Sequence, residues 1–253
     1  MDKTLIKGVE LLESLLRAGV PCGVTDLARR TGLNPSNVHR TLQTWLHLGF
    51  VAQDPDSGAY HCTLRLFEWG CRIADGFDVR GVAREHLAEL AQRTQETIHL
   101  SVLDGAEIVY LDKIDSPQPV RAYSEIGGRA PVHCVATGKM LLAHACEALL
   151  AALPVPLARP TPRTVRDLAG LRPQLAQARR LGYAVNHEEW RVGVSGLGAP
   201  VFDQHGAAIA AVGLTAPSAR LAGARERDLA AMLVATANAV TQALGGAPRR
   251  RAA

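Results

Sequence analysis

Over the first fifty residues the apolar positions fall at helical spacing. Leu5, Val9, Leu12, Leu15 and Leu16 mark one helix face, and Gly19 supplies its stop. Thr25 stands where an N-cap is expected, ahead of a short helix over 26–31 that turns Leu27 and Ala28 inward and ends at Gly32. Asn34 is the next cap, with Pro35 at the first helical position, where its missing N–H costs nothing. A third helix then runs to about Leu48, with Val38, Leu42, Trp45 and Leu46 on its buried side and Gly49 closing it. Residues 50–52 and 60–62 flank Asp54-Pro55-Asp56-Ser57-Gly58, a turn-rich loop between two short strands. The order is helix, helix, turn, helix, hairpin.

From residue 64 to about 77, Leu66, Phe67, Trp69 and Ile73 give an amphipathic connecting helix, and 82–94 gives another with Leu87, Leu90 and Ala91 facing inward. The period then drops to two. Ile98, Leu100 and Val102 alternate, Asp104-Gly105 makes a hairpin turn, and 108–111 returns. Residues 120–123 read as a further short strand. Helices are predicted over 136–145 and over 168–181, the second ended by Gly182, and strands over 183–185, 195–202 and 208–215, the last two joined by the turn 203–206. A long Ala-rich helix over 224–244 closes the chain, and the stretch from Leu153 to Pro162 is the clearest loop. Antiparallel runs flanked by helices at both ends argue an α+β unit. The division expected is 1–65, a linker helix over 66–80, a second domain over 81–248, and a basic tail over 249–253.

Composition narrows the class. Apolar residues make up 47% of the 253 positions and charged residues 21%, which excludes wholesale disorder. Aromatics are only 4%, so the core must be aliphatic. No run approaches the ~18 uninterrupted apolar residues of a membrane span, and Met1-Asp2-Lys3-Thr4 does not lead into an apolar secretory segment. The five cysteines (Cys22, Cys62, Cys71, Cys134, Cys146) are scattered and never form a Cys-x-x-Cys pair. A reducing cytoplasm is expected, without a membrane partner, disulfide framework or zinc finger. The net charge of +4 is spread thinly: residues 1–65 hold 7 basic against 6 acidic groups, and Arg249-Arg250-Arg251 accounts for the rest of the local excess at the tail. Any affinity for nucleic acid must therefore come from placement rather than from total charge.

Placement favours it. A helix, a tight turn at Gly32, a second helix and a hairpin behind it make the winged helix-turn-helix pattern. The second helix carries Ser36, Asn37, His39, Arg40, Thr41, Gln43 and Thr44, and no acid from Asn34 to Leu48. Short hydroxyls and amides bond phosphates and base edges, and Arg grips guanine bidentately, whereas a carboxylate would be repelled. Arg29 and Arg30, at the end of the preceding helix, are placed to neutralise backbone phosphates.

An α+β unit joined to a DNA reader is a sensor, an enzyme or an oligomerisation module. Gly193-Val194-Ser195-Gly196-Leu197 misses a nucleophile elbow by its last residue. Gly138-Lys139 lacks the upstream glycine of a phosphate loop, and Met140 stands where Ser or Thr belongs. His133-Cys134 with Glu188-Glu189 lacks metal-ligand spacing, and structural roles are expected for His99 and His133. No catalytic constellation is visible, and no cofactor or metal is expected.

Three runs in the N-terminal part resemble the IclR family of bacterial transcriptional regulators: Thr25-Asp26-Leu27-Ala28-Arg29-Arg30-Thr31-Gly32-Leu33, Ser36-Asn37-Val38-His39-Arg40-Thr41-Leu42 and Leu48-Gly49-Phe50-Val51. The resemblance continues in order through Thr97-Ile98-His99-Leu100, Tyr110-Leu111-Asp112-Lys113, Gly127-Gly128-Arg129-Ala130-Pro131-Val132-His133, Thr137-Gly138-Lys139, Glu188-Glu189, Gly193-Val194 and Ala199-Pro200-Val201-Phe202-Asp203. It implies an N-terminal winged helix, a linker helix and an effector domain with a curved antiparallel sheet of the GAF or PAS kind. It also implies homodimers or homotetramers assembled partly through the DNA-binding domains and linker helices, a roughly palindromic double-stranded operator, and control of a catabolic operon. The DNA-contacting residues expected are Thr25, Arg29, Arg30, Ser36, Asn37, His39, Arg40, Thr41 and Thr44.

The resemblance further implies an effector pocket at the head of the helix that begins near Ala136, where backbone N–H groups attract anions. Carried over by motif, its positions are Ala136, Thr137, Asn186, Gly196, Gly213 and Thr215. Compared with the polar version of that site, Asn186 replaces a carboxylate, Gly196 a cysteine, and Gly213 and Thr215 two serines. The two glycines are expected to open volume in an aliphatic surrounding, which favours an organic acid larger than pyruvate with an aromatic or extended aliphatic body.

Overall fold

The computed structural model describes residues 1–75, 78–122 and 124–247, in two compact units, Met1–Gly76 and Phe77–Ala253. The expected basic tail over 249–253 lies outside the described residues.

In the first unit, Asp2 caps α1 (Lys3–Ala18) by accepting the Thr4 N–H at 2.8 Å and the Leu5 N–H at 3.3 Å. Helices α2 (Val24–Thr31) and α3 (Pro35–His47) follow, with Gly32 at φ 68° making the turn between them. Asn34 caps α3 as the sequence predicts, its Oδ1 accepting the Ser36 N–H. The α2 cap differs: Gly23 holds that position with no side-chain bond, and Thr25 lies inside the first turn. Strands β1 (Val51–Gln53) and β2 (Tyr60–Cys62) pair antiparallel, and Cys22 makes an isolated antiparallel bridge to Tyr60. Leu11, Leu15, Leu27, Val38, Leu42, Val51 and Tyr60 make the core.

The α1 stripe is rotated from expectation. Gly8, Leu11 and Leu15 are buried, while Leu5, Val9 and Leu16 are exposed. The rotation turns Gly8 toward α3, where Trp45 Nε1 donates to the Gly8 carbonyl at 3.2 Å. Trp45 is correspondingly only half-buried. Helix α4 (Leu64–Asp75) stacks Trp69 edge-on to Phe50 at 4.6 Å, and Arg65 lies over the same ring, yet Leu64, Phe67 and Ile73 remain exposed. The expected extension of this helix to residue 77 reaches Gly76 and Phe77, which are outside the described residues.

The second unit is one antiparallel sheet of order β5-β4-β3-β8-β7-β6. Its strands are β3 (Thr97–Asp104), β4 (Glu107–Ile114), β5 (Arg129–Pro131), β6 (Ala184–His187), β7 (Val194–Phe202) and β8 (Ala208–Pro217). The period-two pattern sorts its faces. Ile98, Leu100, Leu197, Ala199, Val212 and Leu214 pack under α5 (Asp78–Thr94) and α9 (Gly223–Ala243). The opposite face carries α6 (Ala136–His144) and α8 (Leu168–Leu181), with Met140, Leu142, Leu171 and Leu175 buried there.

The strand expected over 120–123 is replaced: 120–122 form no strand, and Tyr123 lies outside the described residues. The edge rung is made instead by β5, three residues with no alternation long enough to read. The short helix α7 (Glu147–Ala151) was likewise invisible to periodicity.

Candidate functional site

Two neighbouring rows of residues cross the sheet on the α6 face. Asn186, Gly196, Thr215 and Thr97 stand opposite one another in succession, and beside them Ala184, Gly198, Gly213 and His99. The glycines of the second row form a trough for the start of α6. A Cβ at Gly198 would lie 2.5 Å from the Ala136 carbonyl carbon and 2.6 Å from the Thr137 nitrogen. A Cβ at Gly213 would overlap the His99 ring and stand 2.7 Å from the Thr137 methyl. On the other side of the helix, a Cβ at Gly138 would overlap the Val132 carbonyl. Gly198 and Gly213 thus let the helix start press directly onto the sheet, with Thr137 against His99, while Gly138 lets the Val132 backbone close on its other side.

Above this seat is a cavity of about 430 Å³. Ala136, Thr137, Asn186, Gly196 and Thr215 all line it, so five of the six positions implied by motif come together. Gly213 does not line it. The volume its missing side chain opens is filled by His99 and Thr137, not left for a guest. The wall is also more polar than the aliphatic surrounding expected, because His99, Tyr110, Ser124 and Arg191 contribute to it.

Within the first turn of α6, the Lys139 N–H bonds back to the Val135 carbonyl at 2.9 Å, and the N–H groups ahead of it have no helical partner. Thr137 is 1% exposed and its Oγ1 has no hydrogen-bond partner among the described residues; His99 is 4% exposed and its Nδ1 has none either. Such orphaned buried groups are uncommon and mark a place where something else bonds. Burial pushes the His99 imidazole down to about 4, so it is neutral at pH 7 and serves as donor or acceptor rather than as a charge. Burial likewise pushes the Tyr110 phenol up to about 12, opposed by the positive Arg191 nearby. The His99 and Tyr110 rings meet edge to face at 4.9 Å.

Asn186 is oriented from behind. Its Oδ1 accepts the Glu189 N–H at 2.8 Å, which leaves its amide N–H₂ as the end free for a guest. Glu189 in turn takes Lys139 Nζ at 2.5 and 2.6 Å, a pair whose side chains are only 9% and 4% exposed. Burial draws Lys139 down from the usual lysine value and Glu189 opposes that shift. Thr161 and Thr164 donate to the Glu188 and Glu189 carbonyls at 2.7 and 2.6 Å, so the proline-rich loop clamps this turn. Glu188 stays outward, held below the usual carboxylate range by the Ser218 hydroxyl and the Gly193 N–H. His133 Nε2 faces the Ala158 carbonyl at 2.8 Å, and burial pushes the Cys134 thiol up to about 12, so neither resembles a nucleophile or a metal ligand. Among the described residues no cluster suited to a metal ion occurs.

Sequence reasoning missed Tyr110, Trp190 and Arg191 as cavity residues and gave His99 only a structural role. Of these only the His99 position was legible, as the one polar residue between Ile98 and Leu100 on a strand.

The first unit presents α3 with Ser36, Asn37, His39, Arg40 and Thr44 exposed. Arg40 Nη2 donates to Asn37 Oδ1 at 3.2 Å, which sets the guanidinium along the outer face. Gln43 is turned away to donate to the Tyr60 hydroxyl at 3.0 Å, tying the helix to the hairpin. Thr41, expected on the DNA face, is half-buried with its methyl toward Gly8 of α1. Thr25 sits exposed in the first turn of α2, where hydroxyl and N–H groups suit a phosphate. Arg29 and Arg30 both pair with Asp26, the latter at 2.7 Å. Such exposed, solvent-screened pairs contribute little to stability.

No helix among the described residues is long and apolar enough to cross a membrane. Residues 4–55 match the IclR helix-turn-helix domain, and residues 71–242 match the family described as bacterial transcriptional regulator IclR C-terminal. The chain is 39% identical over 225 residues to the HTH-type transcriptional regulator KdgR of Escherichia coli K12, covering 88% of this chain and 86% of that one. The IclR structure from Thermotoga maritima superposes with a TM-score of 0.82 at 28% identity, covering 97% of this chain and 100% of that one. An IclR homolog from Microbacterium hydrocarbonoxydans, crystallised with 4-hydroxybenzoate, gives 0.82 at 30% identity over 96% and 99% of the two chains. With both units matched in order and the sheet, helices and winged helix in place, the chain belongs to the IclR family of bacterial transcriptional regulators, DNA-binding proteins rather than enzymes.

Proposed function

We propose that this regulator is switched by an organic acid larger than pyruvate, with an aromatic or extended body, bound at the start of α6, and that it controls a catabolic operon from a roughly palindromic operator. The observation that carries the reading is the pair of buried, unpartnered groups, Thr137 Oγ1 and His99 Nδ1, beside the free first-turn N–H groups of α6. The Thr137 hydroxyl and the N–H groups offer neutral donors and a helix dipole to a carboxylate, and His99 adds an uncharged donor or acceptor. A volume of about 430 Å³ far exceeds a three-carbon acid, and the Tyr110 and Trp190 rings on its wall suit a flat or extended body. The 4-hydroxybenzoate bound by the Microbacterium relative supports this class.

The described residues that line the cavity all belong to the second unit, so the ligand acts on DNA affinity by shifting the population of DNA-competent conformers rather than by touching DNA. The exposed Leu5, Val9 and Leu16 of α1 and Leu64, Phe67 and Ile73 of α4 support assembly into a homodimer or homotetramer, which would read two half-sites. The test is calorimetry on the full chain with glyoxylate, pyruvate and 4-hydroxybenzoate, paired with operator retention in a gel shift. The larger acid is expected to bind more tightly and to alter retention. Tight binding of pyruvate with no gain for the larger acid overturns the reading, and so does sedimentation as a monomer at micromolar concentration with and without DNA.

A further inference from the structure

The cavity has two ends of different character. The inner end is neutral: the start of α6, Thr137 and the uncharged His99. From there a continuous wall runs outward, because Thr137 and His99 meet over Gly213, His99 meets Tyr110 edge to face at 4.9 Å, and Tyr110 lies within the field of Arg191. Three arginines and one carboxylate, Glu125, line the cavity among the described residues. Two of those arginines are already committed. Arg129 pairs with Glu107 at 3.2 Å and with Asp104, and Arg121 stands 3.9 Å from Asp115. Arg191 donates to nothing and pairs with nothing among the described residues, although the turn that carries it is fixed by the Val194 N–H to Arg191 carbonyl bond at 3.2 Å and by Gly193 at φ 78°. A closed turn thus carries an uncommitted guanidinium at the outer end of a cavity whose inner end is the carboxylate seat proposed above.

We infer that the effector is a dicarboxylate, with one carboxylate at the start of α6 and the second taken by Arg191, which makes Arg191 the residue that sets ligand class. This rests on the organic-acid reading above and goes further by giving the far end of the ligand a charge. A guanidinium takes a carboxylate bidentately, and a monoacid of the same skeleton leaves it bonded to water alone.

The experiment is calorimetry on the full chain with skeletons matched in pairs: adipate against hexanoate, and terephthalate against benzoate. In at least one pair the diacid is expected to bind about ten- to hundredfold more tightly, the range for a charge-assisted bond. Arg191→Met is expected to erase that preference by weakening the diacid far more than the monoacid, and Arg191→Lys to retain part of it. Arg191 is exposed, so neither substitution disturbs the core. Equal affinity within both pairs overturns the inference and leaves the organic-acid reading standing. Loss of the preference in Arg121→Met but not in Arg191→Met overturns the assignment to Arg191. Failure of all four acids to bind overturns both.

Discussion

Removal of the Lys139 ammonium is the sharpest test of how the cavity is built. Lys139→Met preserves length and apolar volume but leaves the Glu189 carboxylate, 9% exposed, without the Lys139 ammonium that reaches it at 2.5 Å. Breaking a buried pair in this way costs about 3–5 kcal/mol, because the surviving charge is desolvated and unpaired. The carboxylate escapes part of the cost by taking a proton, so its folded-state pKa in the variant rises above the unfolded value of about 4.3. A group raised in this way contributes its stability below the unfolded pKa and loses it as pH climbs toward the folded one. The deficit relative to wild type is therefore small near pH 5 and grows toward pH 8.

Urea unfolding followed by Trp190 fluorescence in a Trp45→Phe, Trp69→Phe background reads the second unit alone, since the chain has three tryptophans. The double variant Lys139→Met, Glu189→Leu removes both charges and is expected within ~1 kcal/mol of the parent, or above it. A single-variant deficit under ~1 kcal/mol at pH 7.5, or one that does not change with pH, would refute the reasoning.

Arg40→Ala is expected to weaken operator binding by ~1–3 kcal/mol and to relax one operator position, read by gel shift against a panel of single-base variants; unchanged affinity in a folded variant would place α3 outside the groove. Gly198→Ala puts a carbon 2.5 Å from the backbone of Ala136, so α6 must lift, at ~1–3 kcal/mol in stability and with loss of acid binding measured by calorimetry; a neutral result would contradict the close seat. His99, held down to about 4, binds its proton more readily unfolded than folded. Wild-type stability should accordingly fall by up to ~3 kcal/mol as pH drops from the unfolded value of about 6.5 toward 4. His99→Gln should flatten that part of the pH profile in urea titrations.

Local chemistry decided the elements. The caps at Asn34 and Pro35, the glycines at 19, 32 and 182, and the change of period at Ile98 each act within a few residues, so the winged helix, the strands and the helices could be read from the chain. What each side chain faces is set by pairing across long separations, and that only the fold decides. Thr97 meets Thr215 and His99 meets Gly213 across more than a hundred residues, and no local pattern fixes such a register. That register turned Gly213 from open space into the seat of His99, and brought Thr137 against the same ring. Likewise the α1 stripe announced an amphipathic helix, but which of its leucines found cover depended on how α3 packs on it, with Trp45 bonding the Gly8 carbonyl from 37 residues away. Thr41 was expected on the DNA face, but the packing of α3 on α1 turns its methyl toward Gly8. The sequence determined which groups were present and which elements carried them; the tertiary structure decided which of those groups still had a bond to make.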